Sequence, residues 1–159
     1  MLGGELMNIE LKEKLEKFYD EQVWPHITLG EFIEDCAKKY GDKIALVDED
    51  VELSYQELNR KACHYANGLL KAGFKKGDRI VLQLPNCHEF VIILFAMFKI
   101  GLIPVLSLPA HRKNEIKGIL EKSGAKAYIA KDKYLGFSYV DMIREVREEL
   151  NIDFEVYIL

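Results

Sequence analysis

The sequence lacks the features of several large protein classes. Its three cysteines, Cys36, Cys63 and Cys87, have no CxxC spacing, which argues against a disulfide scaffold or a zinc site and fits reduced thiols. The longest apolar run, residues 90–98, is too short to span a bilayer. The first residues show no basic segment followed by a long apolar one, so we expect no signal peptide. We therefore expect a cytoplasmic protein with no membrane partner.

Two kinds of binding surface are also missing. The formal net charge is -4 and the lysines and acids are interspersed, so there is no basic footprint for nucleic acid. Neither G-x-x-x-x-G-K-[ST] nor G-x-G-x-x-G occurs, so neither common phosphate cradle is present. The glycine- and lysine-containing stretch 73–78 precedes a strand instead of opening a helix, which is the wrong context for binding phosphate. We interpret it as a turn.

What is present predicts a single α/β domain. The chain has 159 residues, 49% of them apolar and 30% charged, which allows a packed core. Residues 1–27 are predicted to form an N-terminal helical segment, with Leu11, Leu15 and Phe18 on one face of a charged helix. Residues 28–159 are predicted to form the α/β domain itself.

Capping signals and apolar periods define the elements beyond residue 28. Thr28 and Ser54 are each followed by a glutamate three residues later, which predicts two capping boxes. Leu29, Phe32 and Ile33 begin a series of residues that recur at helical spacing up to Tyr40, which predicts the first helix, and a hairpin with an acidic turn follows it. Strands are then predicted at 79–84, 103–106, 127–130 and 155–159, and helices at 89–99, 114–122 and 139–150. This alternation predicts right-handed crossovers and a largely parallel sheet covered by helices on both faces.

His111 and Arg112 are the first candidates for substrate binding. They follow Pro109 and Ala110, just past the carboxyl end of a predicted strand. In open α/β sheets ligands bind in the crevice outside those ends, and an imidazole beside a guanidinium suits an anionic substrate or a nucleotide. The alternative is a structural loop whose cations cap backbone carbonyls, and the residues alone favour that alternative.

Residues 85–89 occupy the equivalent place after the preceding strand. Asn86 is predicted to N-cap the next helix, with Glu89 three residues later as in a capping box. Cys87 lies at a helix N-terminus, a position that can lower a thiol pKa. No separate base accompanies it, and His88 beside it in sequence is not a catalytic partner by geometry. We therefore predict capping here, and no catalytic or metal-binding residue anywhere in the chain.

Several blocks of the sequence resemble the adenylate-forming superfamily, which holds acyl- and aryl-CoA synthetases, peptide-synthetase adenylation domains and luciferases. The blocks are GDKIALV (41–47), LSYQEL (53–58), GDRIV (77–81), LPNCHEF (84–90) and FKIGLIPV (98–105). They agree in order and spacing with the superfamily along nearly the whole chain. The resemblance implies the N-terminal subdomain of the adenylate-forming ligase fold.

One detail is similar to the aryl-acid branch, the 2,3-dihydroxybenzoate–AMP ligases of siderophore synthesis. It is the stretch LPAHR (108–112) followed by NEI (114–116), and residues 24–29 also fit the opening of that branch. The resemblance implies that ATP and an aryl carboxylic acid, with Mg2+ shielding the phosphates, give an acyl adenylate and pyrophosphate. The acyl group then passes to the phosphopantetheine thiol of an aryl carrier protein, or to CoA.

The resemblance also implies what this stretch of sequence leaves out. The family's phosphate loop, aryl pocket, nucleoside contacts and catalytic lysine would lie beyond Leu159, in a missing C-terminal part of the ligase. We therefore expect a piece truncated before the phosphate loop, inactive alone and without a tightly bound cofactor. Two other interpretations stay open. The chain is then either a relic or stand-alone module that binds a nucleotide or an aryl acid, or a fragment of a general acyl-CoA synthetase.

Overall fold

The protein alternates helices with short strands. A computed structural model describes residues 11–18, 20, 25–150 and 152–159. The helices are α1 (residues 11–18), α2 (Leu29–Tyr40), α3 (Tyr55–Lys71), α4 (His88–Lys99), α5 (Lys113–Ser123) and α6 (Tyr139–Glu149). The strands are β1 (Ile44–Asp48), β2 (Val51–Ser54), β3 (Arg79–Gln83), β4 (Ile103–Leu106), β5 (Ala127–Ala130), β6 (Lys133–Tyr134), β7 (Phe137–Ser138) and β8 (Glu155–Ile158).

The central sheet has four parallel strands in the order β4-β3-β5-β8. Val81 of β3 aligns with Val105 of β4 on one side and Tyr128 of β5 on the other, and Tyr128 aligns with Val156 of β8. Strand β3 is thus the first of the four in sequence but lies inside the sheet. The predicted α/β class and the largely parallel, helix-covered sheet are confirmed.

Each face of this sheet carries its own apolar core. One face packs against α5 and α6 through a cluster that includes Val81, Ile116, Leu120, Tyr128, Ile143 and Val146. The other face packs against α3 and α4 through Leu69, Ile80, Leu82, Ile93, Met97 and Ile129. Because side chains alternate along a strand, consecutive residues such as Ile80 and Val81 serve opposite cores. Both are fully buried, as expected for a parallel sheet covered on both faces.

A third cluster joins the β1–β2 hairpin to α2, α3 and α4, and contains Ile33, Leu53, Leu58 and Ile92. Both predicted capping boxes are formed, at Thr28 with Glu31 and at Ser54 with Glu57. Gly30 lets α2 approach α4 closely, because a Cβ atom there would lie 2.8 Å from the Cα of Lys99.

Two features of the elements go beyond the sequence prediction. Leu29 and Phe32 are 53% and 46% exposed whereas Ile33 is buried, so only part of the apolar stripe of α2 is buried. The short β6–β7 hairpin was not predicted. Its turn holds Leu135 at a φ of 49° beside Gly136 at 77°, and leucine is an unusual residue for the left-handed region.

The N-terminal segment is described in part. Residues 11–18 are helical as predicted, with Leu11 and Phe18 exposed. The rest of the predicted helix, residues 9, 10 and 19, and Trp24 of the predicted family opening lie outside the described residues. The boundary at residue 28 stays a prediction. Within the described part of the chain, no helix has the length and apolar character needed to cross a membrane.

Candidate functional site

The sheet topology creates a crevice at the carboxyl ends of β3 and β5. Strand β3 leads into α4 on one face of the sheet, whereas β5 leads towards α6 on the other face. The connections therefore diverge between two neighbouring strands, which is where open α/β sheets bind ligands. A cleft of about 530 Å³ opens there, lined by the β1–β2 turn, the β3–α4 loop and residues that follow β5.

Asp48 and His88 join the hairpin to the start of α4. The Oδ2 atom of Asp48 accepts hydrogen bonds from the backbone N–H of His88 and from its Nδ1, both at 2.8 Å. These two bonds, with the backbone bond as the larger cause, lower the pKa of Asp48. The donor role of Nδ1 fixes the tautomer of neutral His88, leaving Nε2 as its acceptor.

Asp48 takes the capping role that was predicted for Asn86. The N-cap residue of α4 is Cys87, which makes no side-chain cap hydrogen bond, and Asn86 is exposed. The open N–H of the first turn is instead satisfied by a carboxylate 40 residues away in sequence. The prediction of an Asn86 cap was wrong because a local motif was expected where a tertiary contact does the capping.

Glu89 and Lys131 connect the start of α4 to the end of β5. Lys131 Nζ donates to Glu89 Oε1 at 2.9 Å. Burial, the largest single influence, raises the pKa of Glu89, but the hydrogen bond from Lys131, hydrogen bonds from Cys87 and from the Glu89 backbone, and the charge interaction with His88 together outweigh it, and the pKa falls to about 2. The second oxygen, Oε2, is buried without a hydrogen-bond partner. It lies 3.5 Å from His88 Nδ1.

Cys87, in the same loop, is not an activated thiol. Burial, followed by the neighbouring Glu89 carboxylate, raises the pKa of Cys87. The expectation of a lowered pKa at this helix N-terminus was therefore wrong in direction. A thiol whose pKa is raised is mostly protonated near neutral pH and is a poor nucleophile.

The crevice does not have the character of a magnesium site. Among the described residues, Asp48, His88 and Glu89 are the group whose candidate ligand atoms lie within 4.8 Å of one another. Asp48 is already hydrogen-bonded twice to His88, and Glu89 is neutralised by Lys131. Mg2+ prefers several oxygen ligands in octahedral geometry, which this set does not offer.

The loop that follows β4 is held by a buried polar network. Gln83, the last residue of β3 and only 1% exposed, donates from Nε2 to the carbonyls of Leu108 at 2.8 Å and His111 at 3.0 Å. The hydroxyl of Tyr128 donates to Gln83 Oε1 at 2.6 Å, and that of Tyr139 donates to the carbonyl of Pro109 at 2.8 Å. These residues were missed, although a glutamine in an otherwise apolar strand signals a buried polar role.

His111 and Arg112, the predicted substrate-binding residues, belong to this loop. His111 Nδ1 shares a hydrogen bond of 2.9 Å with Ser107 Oγ. Arg112 Nη1 donates to the carbonyls of Pro109 at 2.8 Å and His111 at 3.0 Å, and its guanidinium lies 3.9 Å from the ring centre of Phe137. The contacts of Arg112 match the alternative given for this pair, in which cations of a structural loop cap backbone carbonyls. Substrate binding by the pair stays a prediction.

The fold and the sequence both match known proteins. Residues 33–157 match the family described as AMP-binding enzyme. The chain is 41% identical over 138 residues to the 2,3-dihydroxybenzoate-AMP ligase of Bacillus subtilis, covering 87% of this chain and 26% of that protein. It is 41% identical over 124 residues to triostin synthetase I of Streptomyces triostinicus, covering 78% of this chain and 24% of that protein.

A solved structure agrees with these relatives. The apo structure of MbtA from Mycobacterium smegmatis superposes with a TM-score of 0.84 at 31% identity, covering 92% of this chain and 27% of that chain. The chain thus spans about a quarter of the length of the curated relatives it matches. The predicted resemblance to the adenylate-forming superfamily, with a 2,3-dihydroxybenzoate–AMP ligase among the similar proteins, is confirmed.

Proposed function

Because the chain belongs to the AMP-binding enzyme family, we propose that it forms the N-terminal α/β part of an aryl-acid–AMP ligase. In the proposed first step the carboxylate of an aryl acid attacks the α-phosphate of ATP, and pyrophosphate leaves. In the second step a thiol attacks the acyl carbon of the adenylate, and AMP leaves. The proposed thiol is the phosphopantetheine of an aryl carrier protein or CoA, and the proposed setting is cytoplasmic siderophore synthesis.

The similarity to the 2,3-dihydroxybenzoate-AMP ligase of Bacillus subtilis is the observation that carries this proposal. It extends over 138 residues, which is most of the chain. The stretch LPAHR (108–112), on which the aryl-acid prediction depends, points to the same branch. The structure adds that the backbone of this partly exposed loop is anchored to buried side chains. Gln83 and Tyr139 donate to its carbonyls, and Tyr128 in turn donates to Gln83, which supports a defined position for the loop.

We propose that this chain forms part of the ligase fold and helps to position the substrate, and that it does not catalyse the reaction. ATP is a substrate of the proposed reaction, and Mg2+ binds with it. The described residues offer neither a phosphate-binding loop for ATP nor a suitable set of ligands for Mg2+. We therefore assign no chemical step to a side chain of this chain. We propose that the 159-residue polypeptide alone does not form an adenylate and binds no cofactor tightly.

His111 and Arg112 are the proposed points of contact with the substrate. Their place beyond the carboxyl end of β4 supports this, since ligands of open α/β sheets bind on that side. Arg112 uses Nη1 for two carbonyls and is an exposed residue, so its remaining N–H groups are not all committed to the loop. In an intact ligase, Arg112→Ala is then expected to raise KM for the acid more than it lowers kcat.

The experiment that tests the proposal measures pyrophosphate release with ATP and Mg2+. The acids are 2,3-dihydroxybenzoate, salicylate and a medium-chain fatty acid. The proteins are the 159-residue chain and a chimera in which this chain replaces the matching segment of the Bacillus subtilis ligase, with that ligase itself as control. We expect release by the chimera and the control with the aryl acids, and none by the 159-residue chain.

Each other result has a defined meaning. Release by the 159-residue chain alone would contradict its proposed inactivity. A folded chimera that is inactive with every acid would contradict the ligase role and favour a relic or a binding module. A chimera that prefers the fatty acid would favour a general acyl-CoA synthetase. Circular dichroism and thermal unfolding show whether the chimera is folded.

A further inference from the structure

Three side chains that can ligate a metal ion converge at the start of α4. His88 Nδ1 lies 2.8 Å from Asp48 Oδ2 and 3.5 Å from Glu89 Oε2. Among the described residues, these three form the group whose candidate ligand atoms all lie within 4.8 Å of one another. Two ligand atoms bound to one tetrahedral zinc ion are separated by about 3.4 Å. The three atoms are therefore close to the spacing that such an ion requires.

The fold orients the two carboxylates without using all of their oxygens. Lys131 Nζ donates to Glu89 Oε1 at 2.9 Å, and Glu89 Oε2 is buried without a hydrogen-bond partner. Both hydrogen bonds from His88 end on Oδ2 of Asp48, so His88 does not occupy the second oxygen of that carboxylate. A hydrogen bond that fixes one oxygen while the other ligates is a regular feature of metal sites.

The charge of the surrounding cleft favours a cation. Its charged lining residues are four acids and two lysines: Asp48, Glu49, Asp50, Glu89, Lys131 and Lys133. With histidine counted as neutral, the lining has an excess of two negative charges. A cleft lined mainly by one sign of charge concentrates ions of the opposite sign. A divalent cation balances this excess, and Lys131 remains paired with Glu89 beside it.

We infer that Asp48, His88 and Glu89 bind a divalent transition-metal ion such as Zn2+. The ligands are one oxygen of each carboxylate and Nδ1 of His88, with a water molecule in the fourth position. Zn2+ accepts imidazole nitrogen together with carboxylate oxygen in tetrahedral geometry. The nitrogen that makes this group unsuitable for Mg2+ is thus a normal ligand for Zn2+.

Binding changes the tautomer of His88. In the metal-free protein the Nδ1 proton is shared with Asp48. The ion takes the lone pair of Nδ1, so the one proton of the neutral ring must lie on Nε2. The ring therefore releases no net proton, and the hydrogen bond between Nδ1 and Asp48 is replaced by bonds from both groups to the same ion.

The ion ties the β1–β2 hairpin to α4, since Asp48 ends β1 and His88 begins α4. It is inferred as a structural ligand of the fold and has no part in the proposed adenylation. The sequence predicted no metal-binding residue because Asp48 lies 40 residues from His88, so the group forms only in the folded chain. All three ligands belong to the described residues, and the site needs none from elsewhere.

The first test is isothermal titration calorimetry of the 159-residue protein in reducing buffer, with Zn2+ or Mg2+ up to about 1 mM. We expect one Zn2+ per chain and no comparable binding of Mg2+. Co2+ in place of Zn2+ is expected to give the intense visible absorption of tetrahedral coordination. Glu89→Gln is expected to weaken Zn2+ binding at least about 10-fold.

The matched control is Glu49→Gln, which removes the same charge from the same cleft but lies outside the ligand group. It acts only through screened charge and is expected to weaken binding by no more than about 3-fold. Cys87→Ser is expected to keep Zn2+ binding, since its thiol is not among the ligands. Circular dichroism without metal shows whether each variant is folded.

The second test uses wild type alone and does not depend on how a variant folds. NMR of 15N-labelled histidine rings reports which nitrogen of each ring carries the proton. Zn2+ is expected to move the proton of His88 from Nδ1 to Nε2 and to leave the tautomers of His26, His64 and His111 unchanged.

Four results would overturn the inference. The first is the absence of Zn2+ binding at every concentration. The second is equal weakening by Glu89→Gln and Glu49→Gln, which would indicate general attraction of cations without ligation. The third is Zn2+ binding that Cys87→Ser abolishes, or that changes a histidine other than His88. The fourth is Mg2+ binding as tight as that of Zn2+. The inference does not depend on the ligase proposal, and neither test measures adenylation.

Discussion

Two loops at the carboxyl edge of the sheet handle their polar groups in opposite ways. In the loop that follows β4, residues 107–112, the backbone carbonyls are bound by Gln83, Tyr139 and Arg112, and His111 is bound by Ser107. In the loop that follows β3, residues 85–89, side chains contact the hairpin and the residue after β5, and Glu89 Oε2 remains without a hydrogen-bond partner.

The difference shows that residue type alone does not indicate which loop has polar groups that are not already bound within the protein. The pair that stands out in the sequence, His111 and Arg112, takes part in fixing its own loop. The ordinary helix start at residues 85–89 holds the strongly shifted carboxylate at the topological switch of the sheet. The comparison therefore predicts that the two loops respond differently when one contact is removed from each.

The largest effect is expected for Gln83→Leu, which removes the centre of the buried network. The substitution removes the buried Nε2 donor from the carbonyls of Leu108 and His111, which keep only the His111 N–H and Arg112 Nη1, and it leaves the hydroxyl of Tyr128 without a partner inside the protein. We expect a loss of about 3 kcal/mol in the free energy of unfolding, measured by urea denaturation. Tyr128→Phe removes one donor only and should cost about 1 kcal/mol. A loss below about 1 kcal/mol for Gln83→Leu would contradict the assigned network.

A smaller, pH-dependent effect is expected for Lys131→Met. The folded pKa of Glu89, about 2, lies below its ordinary value of 4.5. Its ionisation therefore stabilises the fold above pH 4.5, and this contribution is lost as the pH falls from 4.5 towards 2. Because the pair is partly exposed, we expect it to contribute on the order of 1 kcal/mol.

Denaturation of wild type and Lys131→Met between pH 2 and 7 measures this contribution. The two stability curves should differ near neutral pH and converge near pH 2, where Glu89 becomes protonated in both. The matched control is Lys133→Met, a lysine of the same cleft, which should follow the wild-type curve. A constant offset across the whole pH range would show that the effect of Lys131→Met is not electrostatic.

The smallest effect is expected for Arg112→Ala. Its guanidinium stacks on Phe137 and caps two carbonyls, but the residue is exposed and water can replace its hydrogen bonds. We expect a loss of about 0.5–1 kcal/mol by thermal unfolding, with the same loss for Arg112→Lys if stacking on the ring is the main contribution. A loss as large as that of Gln83→Leu would show that the two residues hold the loop jointly.

The sequence predicted the elements well where the signal is local. The capping boxes at Thr28 and Ser54 join residues three apart, and the alternation of strands and helices gave the parallel sheet. It failed where partners are distant in sequence. The cap of α4 comes from Asp48, and Gln83 donates hydrogen bonds to a loop more than 20 residues away. Neither contact can be predicted before the strand order is known.

The candidate site was predicted only in part, for the same reason. The two loops were identified from their position after strands, but which polar groups are bound and which are free depends on tertiary contacts. The β6–β7 turn was missed because it places a leucine, Leu135, where hairpin rules favour asparagine or aspartate. Short-range rules describe the commonest turn residues, and tertiary context can select others.

The position of β3 inside the sheet has a consequence for synthesis of the chain. It is the first of the four strands to leave the ribosome, and both of its neighbours, β4 and β5, are made later. Val81 cannot be covered until α5 and α6 have also emerged, since these helices form its core. The nascent sheet therefore assembles from its centre outwards, and β3, whose Ile80, Val81 and Leu82 are all fully buried in the folded protein, must wait, exposed to chaperones, for most of the domain to be translated.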